Sequence, residues 1–294
     1  MEQAPACSVI VPTYRRPTQL VRCLEALSRL DYPRGRYEVI VVDDGGSIAA
    51  ADLTTAFHDR LRLVLLTQPH GGPAAARNLG AAHAEGELLL FTDDDCMPDP
   101  RWLQVLARRF VEAPERATGG HTVNVLDGNL YASTSQLIID VGYAHNNCGT
   151  DTARFFTTNN LAVPAADFRQ VGGFDPSFRT SEDREFCTRW IDHGLRLDFE
   201  PSAVVNHAHD LSFRTFCRQH FAYGRGALRY HTKQARRANR VRIEPAYYLA
   251  LFRAPFSGFG FPRALRITAL LGVWHLANTA GFVFEWATTR SATS

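Results

Sequence analysis

The sequence predicts an α/β fold: a mostly parallel sheet with helices on both faces, followed by a C-terminal helical extension. Three observations carry this. Short apolar runs recur through the first half, segments of helical spacing separate them, and clustered acids mark two of the run ends. The runs are 7–11, 39–42, 61–66 and 88–91, each rich in Val, Ile or Leu, as strands buried on both faces require. Between them, Leu20, Leu24, Leu27 and Leu30 share one helical face after Pro17, and Leu53, Phe57 and Leu61 repeat that spacing weakly. An Ala-rich helix is expected over 73–84 with Pro73 in its first turn. Another is expected over 100–111 with Asp99 as N-cap. Strand and helix thus alternate, the signature of a helix-covered parallel sheet.

Length and composition bound the rest. The 294 residues, 45% hydrophobic and 21% charged, suffice for one large or two modest domains and exclude disorder and disulfide-dense scaffolds. A net charge of +2 gives no global case for nucleic acid. Six scattered cysteines without a CxxC pair read as reduced core residues. The N-terminus lacks a basic-then-apolar leader pattern, so a cytoplasmic location is expected.

Ligands of such sheets bind at the carboxyl ends of the strands. Those ends read Pro12-Thr13-Tyr14-Arg15, Asp43-Asp44-Gly45-Gly46, Thr67-Gln68-Pro69-His70 and Thr92-Asp93-Asp94-Asp95. One Asp alone is a helix cap. Two acidic clusters on neighbouring strand ends repel each other unless a cation or a donor-rich ligand lies between them. Gly71-Gly72 completes neither a GxGxxG fingerprint nor a phosphate-binding loop with its lysine.

The motifs SVIVPTYRRP, VIVVDDGGS, GGPAAARNLG and LLLFTDDDCMPDPRWL, then NNLAVPAADFRQVGGFD and SEDREFCTRW, resemble in that order the family 2 glycosyltransferases with their GT-A fold. The resemblance spans residues 7–226 and implies a nucleotide-binding half, 1–115, and an acceptor half, 116–226, before a basic and apolar extension, 227–294. It implies a sugar transfer from a nucleoside-diphosphate sugar, UDP-linked, to a hydroxyl of a glycan, glycolipid or small molecule. Asp93 and Asp95 match the two aspartates of the DxD motif. Asp95 is then expected to hold a divalent metal and Asp93 the donor ribose or the metal, while Asp94 joins the nucleotide-sugar group or turns inward. Pro12, Thr13, Tyr14 and Arg15 match the nucleoside site together with Asp44, or alternatively Asp43, as acceptor from the base. Arg77 matches an arginine beneath the nucleotide, unless it closes the Asp43/Asp44 edge as an ion pair. Asn160, beside Asn159, matches the segment facing donor sugar and acceptor, unless it caps a turn. The general base falls in the acidic pair, at Asp183 with Glu182 in reserve, and implies inversion at the transferred carbon. His207, more than His209, matches a third metal ligand. Hard carboxylate oxygens suit Mg²⁺ or Mn²⁺, and an imidazole beside them tilts the choice to Mn²⁺. Trp190 and Phe174 read as core rather than as sugar platforms. Two other classes stay open: nucleotidyl transfer on a related sheet, and a binding protein without turnover.

The extension carries nine Lys/Arg and no acid over 214–242. Residues 264–287 are long enough to span a bilayer, but Thr268, His275, Asn278, Thr279 and Glu285 interrupt them and are expected to form a polar stripe. Peripheral membrane contact, packing against the catalytic domain and a homodimer interface are the three readings. The absence of a QxxRW motif near Gln219 favours addition of a single sugar.

Overall fold

The computed structural model describes residues 6–46, 50–147, 153–235 and 245–291. By contacts the chain groups into two compact units. The first comprises 1–123, 149–177 and 182–208; the second comprises 124–148, 178–181 and 209–294. The expected boundary near 226 therefore falls inside a helix of the second unit.

The first unit begins with β1 (Cys7–Thr13), α1 (Pro17–Leu27), β2 (Tyr37–Asp44), α2 (Ala50–Phe57), β3 (Leu63–Gln68), α3 (Pro73–His83) and β4 (Leu88–Phe91). It continues with β5 (Cys96–Pro98), α4 (Trp102–Glu112) and β6 (Arg116–Asn124), and after the second unit's first segment with β7 (Leu161–Pro164) and α6 (Ala165–Val171). The acidic pair opens α7 (Glu182–Asp192), and β8 (Arg196–His207) closes the unit. Among the described residues the strands form one eight-stranded sheet in the order β3-β2-β1-β4-β7-β6-β8-β5. The first four are parallel, but β7 runs antiparallel to β4 and to β6, and β5 runs antiparallel to β8, so the sheet is mixed. In the last pairing Cys96 lies opposite His207.

The alternation of β2 shows why its run is apolar throughout. Val39 and Val41 join β1 and β4 in a core with Leu20, Leu24 and Leu27 of α1, Phe57 of α2 and Trp102 of α4. Ile40 and Val42 face the other way, onto Ala76 of α3. Both faces are covered, as a parallel sheet demands. α3 approaches so closely that a side chain at Gly80 would collide with Ile10. At the start of α4 the N-cap position is Arg101 rather than Asp99; Asp99 instead accepts from the Arg101 N–H as a short turn.

The second unit contains α5 (Leu130–Asn146), α8 (Phe213–Ala235), α9 (Pro245–Gly258) and α10 (Phe261–Ser291). Asn129 caps α5, its Oδ1 accepting from the N–H groups of Tyr131 and Ala132. Phe216, Leu251, Ile267, Leu271 and Trp274 form the core. Among the described residues, α10 is the one helix long and apolar enough to cross a membrane. Of the expected polar stripe, His275 and Thr279 are exposed, Thr268 and Asn278 are half-buried, and Glu285 leaves the outer face. Glu285 is buried and accepts from Arg225 at 2.7 Å and Arg229 at 2.5 Å on α8, which draws the acid inward. Of the basic run, Arg236, Arg237, Arg240 and Arg242 lie outside the described residues, as does Cys148.

Candidate functional site

The carboxyl ends of β1, β2 and β3 surround an open pocket of about 420 Å³, lined by Tyr14, Arg15, Gly45, Gly46 and Thr67 to His70. That volume lies in the range of small-ligand sites. Tyr14 is 39% exposed and stacks on His70 with ring centroids 4.2 Å apart, and the Arg15 guanidinium lies over the same tyrosine. Arg15 takes a left-handed backbone, φ 55°, which a non-glycine residue adopts only where its surroundings hold it there. Pro12 is half-buried, one step before the rim.

Asp43 is buried on β2, opposite Thr13 and Thr67. Asp44 is held by the loop that follows β3. Its Oδ1 accepts from Gln68 Nε2 at 2.7 Å and from the Gly71 N–H at 2.6 Å, and its Oδ2 accepts from the Gly72 N–H at 2.8 Å. His70 Nδ1 adds a fourth contact at 2.8 Å. Burial alone would raise this carboxyl; the three hydrogen bonds outweigh it and hold it below its ordinary value. Asp44 thereby shapes the loop that forms one wall of the pocket. Thr13 is likewise turned inward, donating from Oγ1 to Asp94 Oδ2 at 2.7 Å.

The triple aspartate at the end of β4 separates into three environments. Asp94 is buried against Thr13 and Arg16, and burial pushes its carboxyl up to about 6 against the pull of those donors. Arg16 also reaches Asp95 Oδ2 at 3.1 Å. Asp93 accepts from Arg77 Nη2 at 2.7 Å. Asp95 Oδ1 lies 3.3 Å from His207 Nε2, and the ligand atoms of Asp95, Cys96 and His207 fall within 4.8 Å of one another. Asp95 raises the His207 imidazole above its ordinary value although burial opposes this. Burial pushes the Cys96 thiol well up. The carboxylate oxygen and imidazole beside it fit a divalent cation.

Arg77, 3% exposed, sits neither beneath the pocket nor at the Asp43/Asp44 edge. Its Nη1 donates to Glu182 Oε1 at 2.9 Å while Nη2 holds Asp93, so one guanidinium joins the β4 end to the acidic pair. Glu182 is thus engaged. Asp183, half-buried beside it, accepts from the Arg184 N–H at 2.7 Å, and burial, then the Glu182 carboxylate, push its carboxyl up to about 7. Ser181, just before the pair, has φ 68°.

Asn160 does not face a substrate. It is 0% exposed; its Oδ1 accepts from Trp102 Nε1 at 2.8 Å and its Nδ2 donates to the carbonyls of Ala203 at 2.9 Å and His121 at 3.1 Å. A buried amide with both ends satisfied fixes the core and has no free edge for a sugar. Asn159 accepts from Thr157, and Trp190 and Phe174 are core residues. Sequence reasoning gave no role to Arg16, Gln68 or His70, although Gln68 and His70 lie at one of the four strand ends singled out for ligands and Arg16 follows another.

The sequence and the fold resemble those of known proteins. The chain is 29% identical over 227 residues to the pre-mycofactocin glycosyltransferase of Mycobacterium tuberculosis, covering 75% of this chain and 46% of that protein. It is 27% identical over 268 residues to glycosyltransferase AglE of Haloferax volcanii, covering 84% and 80%. It is 32% identical over 223 residues to the validoxylamine A glucosyltransferase of Streptomyces hygroscopicus, covering 66% and 53%. The chain thus spans about half the length of two of these three relatives. Among solved structures, the mannosyltransferase PcManGT of Pyrobaculum calidifontis, in complex with GDP-Man and Mn²⁺, superposes with a TM-score of 0.67 at 20% identity, over 98% of this chain and 87% of that one. TarS of S. aureus superposes at 0.62 and 18% identity, over 93% and 81%. Residues 8–172 match the model of glycosyl transferase family 2, more than half of the sequence, and the chain belongs to that family.

Proposed function

We propose that this chain is an inverting, metal-dependent glycosyltransferase that moves a sugar from a uridine diphosphate sugar to a hydroxyl of a glycan, glycolipid or small-molecule acceptor. The observation that carries the reading is the Arg77 bridge, which ties Asp93 of the triple aspartate to the acidic pair bearing Asp183. A donor-holding strand end and a base are thereby joined through the buried Arg77 and Glu182. The nucleoside fills the pocket behind Tyr14 and His70, with the Asp44-shaped loop as its wall. Asp95 and His207 hold the cation, with Asp93 alongside. When bound, a divalent cation supplies charge neutralisation at the diphosphate leaving group.

Asp183 takes the proton of the acceptor hydroxyl as that oxygen bonds to the anomeric carbon. The bond from that carbon to the diphosphate breaks on the opposite side, and its electron pair leaves with the nucleoside diphosphate. Arg77 keeps Glu182 engaged, so Asp183 is the carboxylate left for this task. Burial and Glu182 raise the Asp183 carboxyl toward neutral pH, which suits a general base.

The decisive experiment measures nucleoside-diphosphate release from a panel of UDP- and GDP-linked sugars with Mn²⁺, with and without sugar acceptors, and the anomeric configuration of the product by NMR. Release that depends on an acceptor and gives an inverted product supports the reading; no release from any donor, or a retained configuration, overturns it.

A further inference from the structure

Sugar transfer leaves one large surface of the chain unused. On α10, Phe261, Leu265, Leu276, Val283 and Trp286 recur at the helical period along one side and are all exposed, Phe261 at 68% and Leu276 at 71%. The opposite side holds Ile267, Leu271, Trp274 and Glu285 buried. α9 adds Phe252 and Phe256 to the exposed apolar set. His275 and Thr279 are exposed on the same side, so the face is apolar with a polar interruption, as in helices that lie at an interface.

Charge selects the partner. On α9 and α10 the charged residues are Arg253, Arg263, Arg266 and Arg290 against one acid, Glu285, which is buried and paired with α8. A second copy docked face to face would bring like charge onto like charge. An anionic bilayer surface matches both features: its acyl boundary takes the aromatic and aliphatic side chains, and its headgroups take Arg253 and Arg266.

Packing decides between lying on the bilayer and crossing it. The inner side of α10 is joined to α8 along much of its length. Side chains at Gly224 and Gly281 would collide with the backbone of Asn278 and Phe221, and Arg225 and Arg229 hold Glu285. A spanning α10 would draw α8, with Arg214, Arg218, Arg225, Arg229 and Lys233, into hydrocarbon, where each charge is costly. We infer that the second unit is an interfacial membrane-binding module, with α9 and α10 lying in the headgroup region of an anionic lipid surface. This stands apart from the assignment of the transferase reaction.

Flotation of the full chain tests it, with vesicles of phosphatidylcholine alone and of phosphatidylcholine mixed with phosphatidylglycerol. Binding is expected to the mixed vesicles, to be weakened by high salt, and to be released by alkaline carbonate. Phe256→Ser with Phe261→Ser should weaken it about tenfold or more. Arg253→Gln with Arg266→Gln should cost about fivefold per arginine on mixed vesicles only. Both pairs are exposed, and circular dichroism checks that the helices persist. Absence of binding to mixed vesicles, equal binding to both vesicle types, resistance to carbonate, or a dimer in sedimentation that the aromatic substitutions dissolve would each overturn the inference.

Discussion

Arg77 Nη1 donates to Glu182 Oε1 at 2.9 Å, and both side chains are buried. The same guanidinium holds Asp93, so its removal strands two carboxylates. Arg77→Ala should destabilise the protein by about 3 kcal/mol or more, read by urea unfolding. Arg77→Lys, which cannot bridge both acids as a fork, should fall between. A loss under about 1 kcal/mol would mean the bridge is not what joins the two segments.

The division of labour in the acidic pair can be read from kinetics. Asp183→Asn should lower kcat by about 10²–10⁴ with donor affinity by calorimetry nearly unchanged. Glu182→Gln should cost less in kcat and more in stability, because its partner is Arg77. The reverse order would move the base to Glu182.

The pH profile follows from the same pair. Asp183 accepts a proton only when ionised, and its carboxyl is raised to about 7, first by burial and then by Glu182. kcat should therefore climb about tenfold per pH unit below that value and level off above it. Glu182→Gln removes the like charge, so its inflection should move to lower pH. An inflection that stays or rises would contradict the assignment.

Asn160 separates structure from recognition. Asn160→Ala leaves the Trp102 indole N–H and the Ala203 carbonyl unsatisfied in the core and should lower stability by about 2 kcal/mol or more. The variant's KM for donor, measured well below its melting temperature, should match that of the parent. A large KM change with intact stability would return Asn160 to the substrate.

His207 and Asp95 are expected to share a cation. His207→Gln should weaken Mn²⁺ binding about tenfold or more, followed by electron paramagnetic resonance, and should affect Mg²⁺ less because imidazole favours the softer ion. Equal loss for both ions would argue that the imidazole only orients Asp95.

What the sequence discloses depends on the range of the interaction. β1, β2 and β4 were legible because burial on both faces leaves an unbroken apolar run, and half-buried β3 kept its run at the sheet edge, whereas the short β5 and the Gly-containing β6 carry no such run. The clusters at 43–44, 93–95 and 182–183 were legible as candidates because like charges at strand and helix ends need a reason. Their partners were not. Asp44 reads as a ligand group until Gln68 and the Gly71 and Gly72 amides close on it. Arg77 finds its acids at Asp93 and far down the chain at Glu182. Asn160 looks like a sugar-reading amide until Trp102 and Ala203 enclose it. Glu285 interrupts an apolar helix in sequence, and only the arginines of α8 show why it is tolerated.

The short ladder between β5 and β8 has a consequence of its own. Three rungs set Cys96 against His207, Met97 against Asn206 and Pro98 against Val205. Side chains alternate along a strand, so a slip of one place would turn the imidazole to the far face and leave Asp95 to Arg16. A substitution that merely loosens this seam would part His207 from Asp95 without altering either residue.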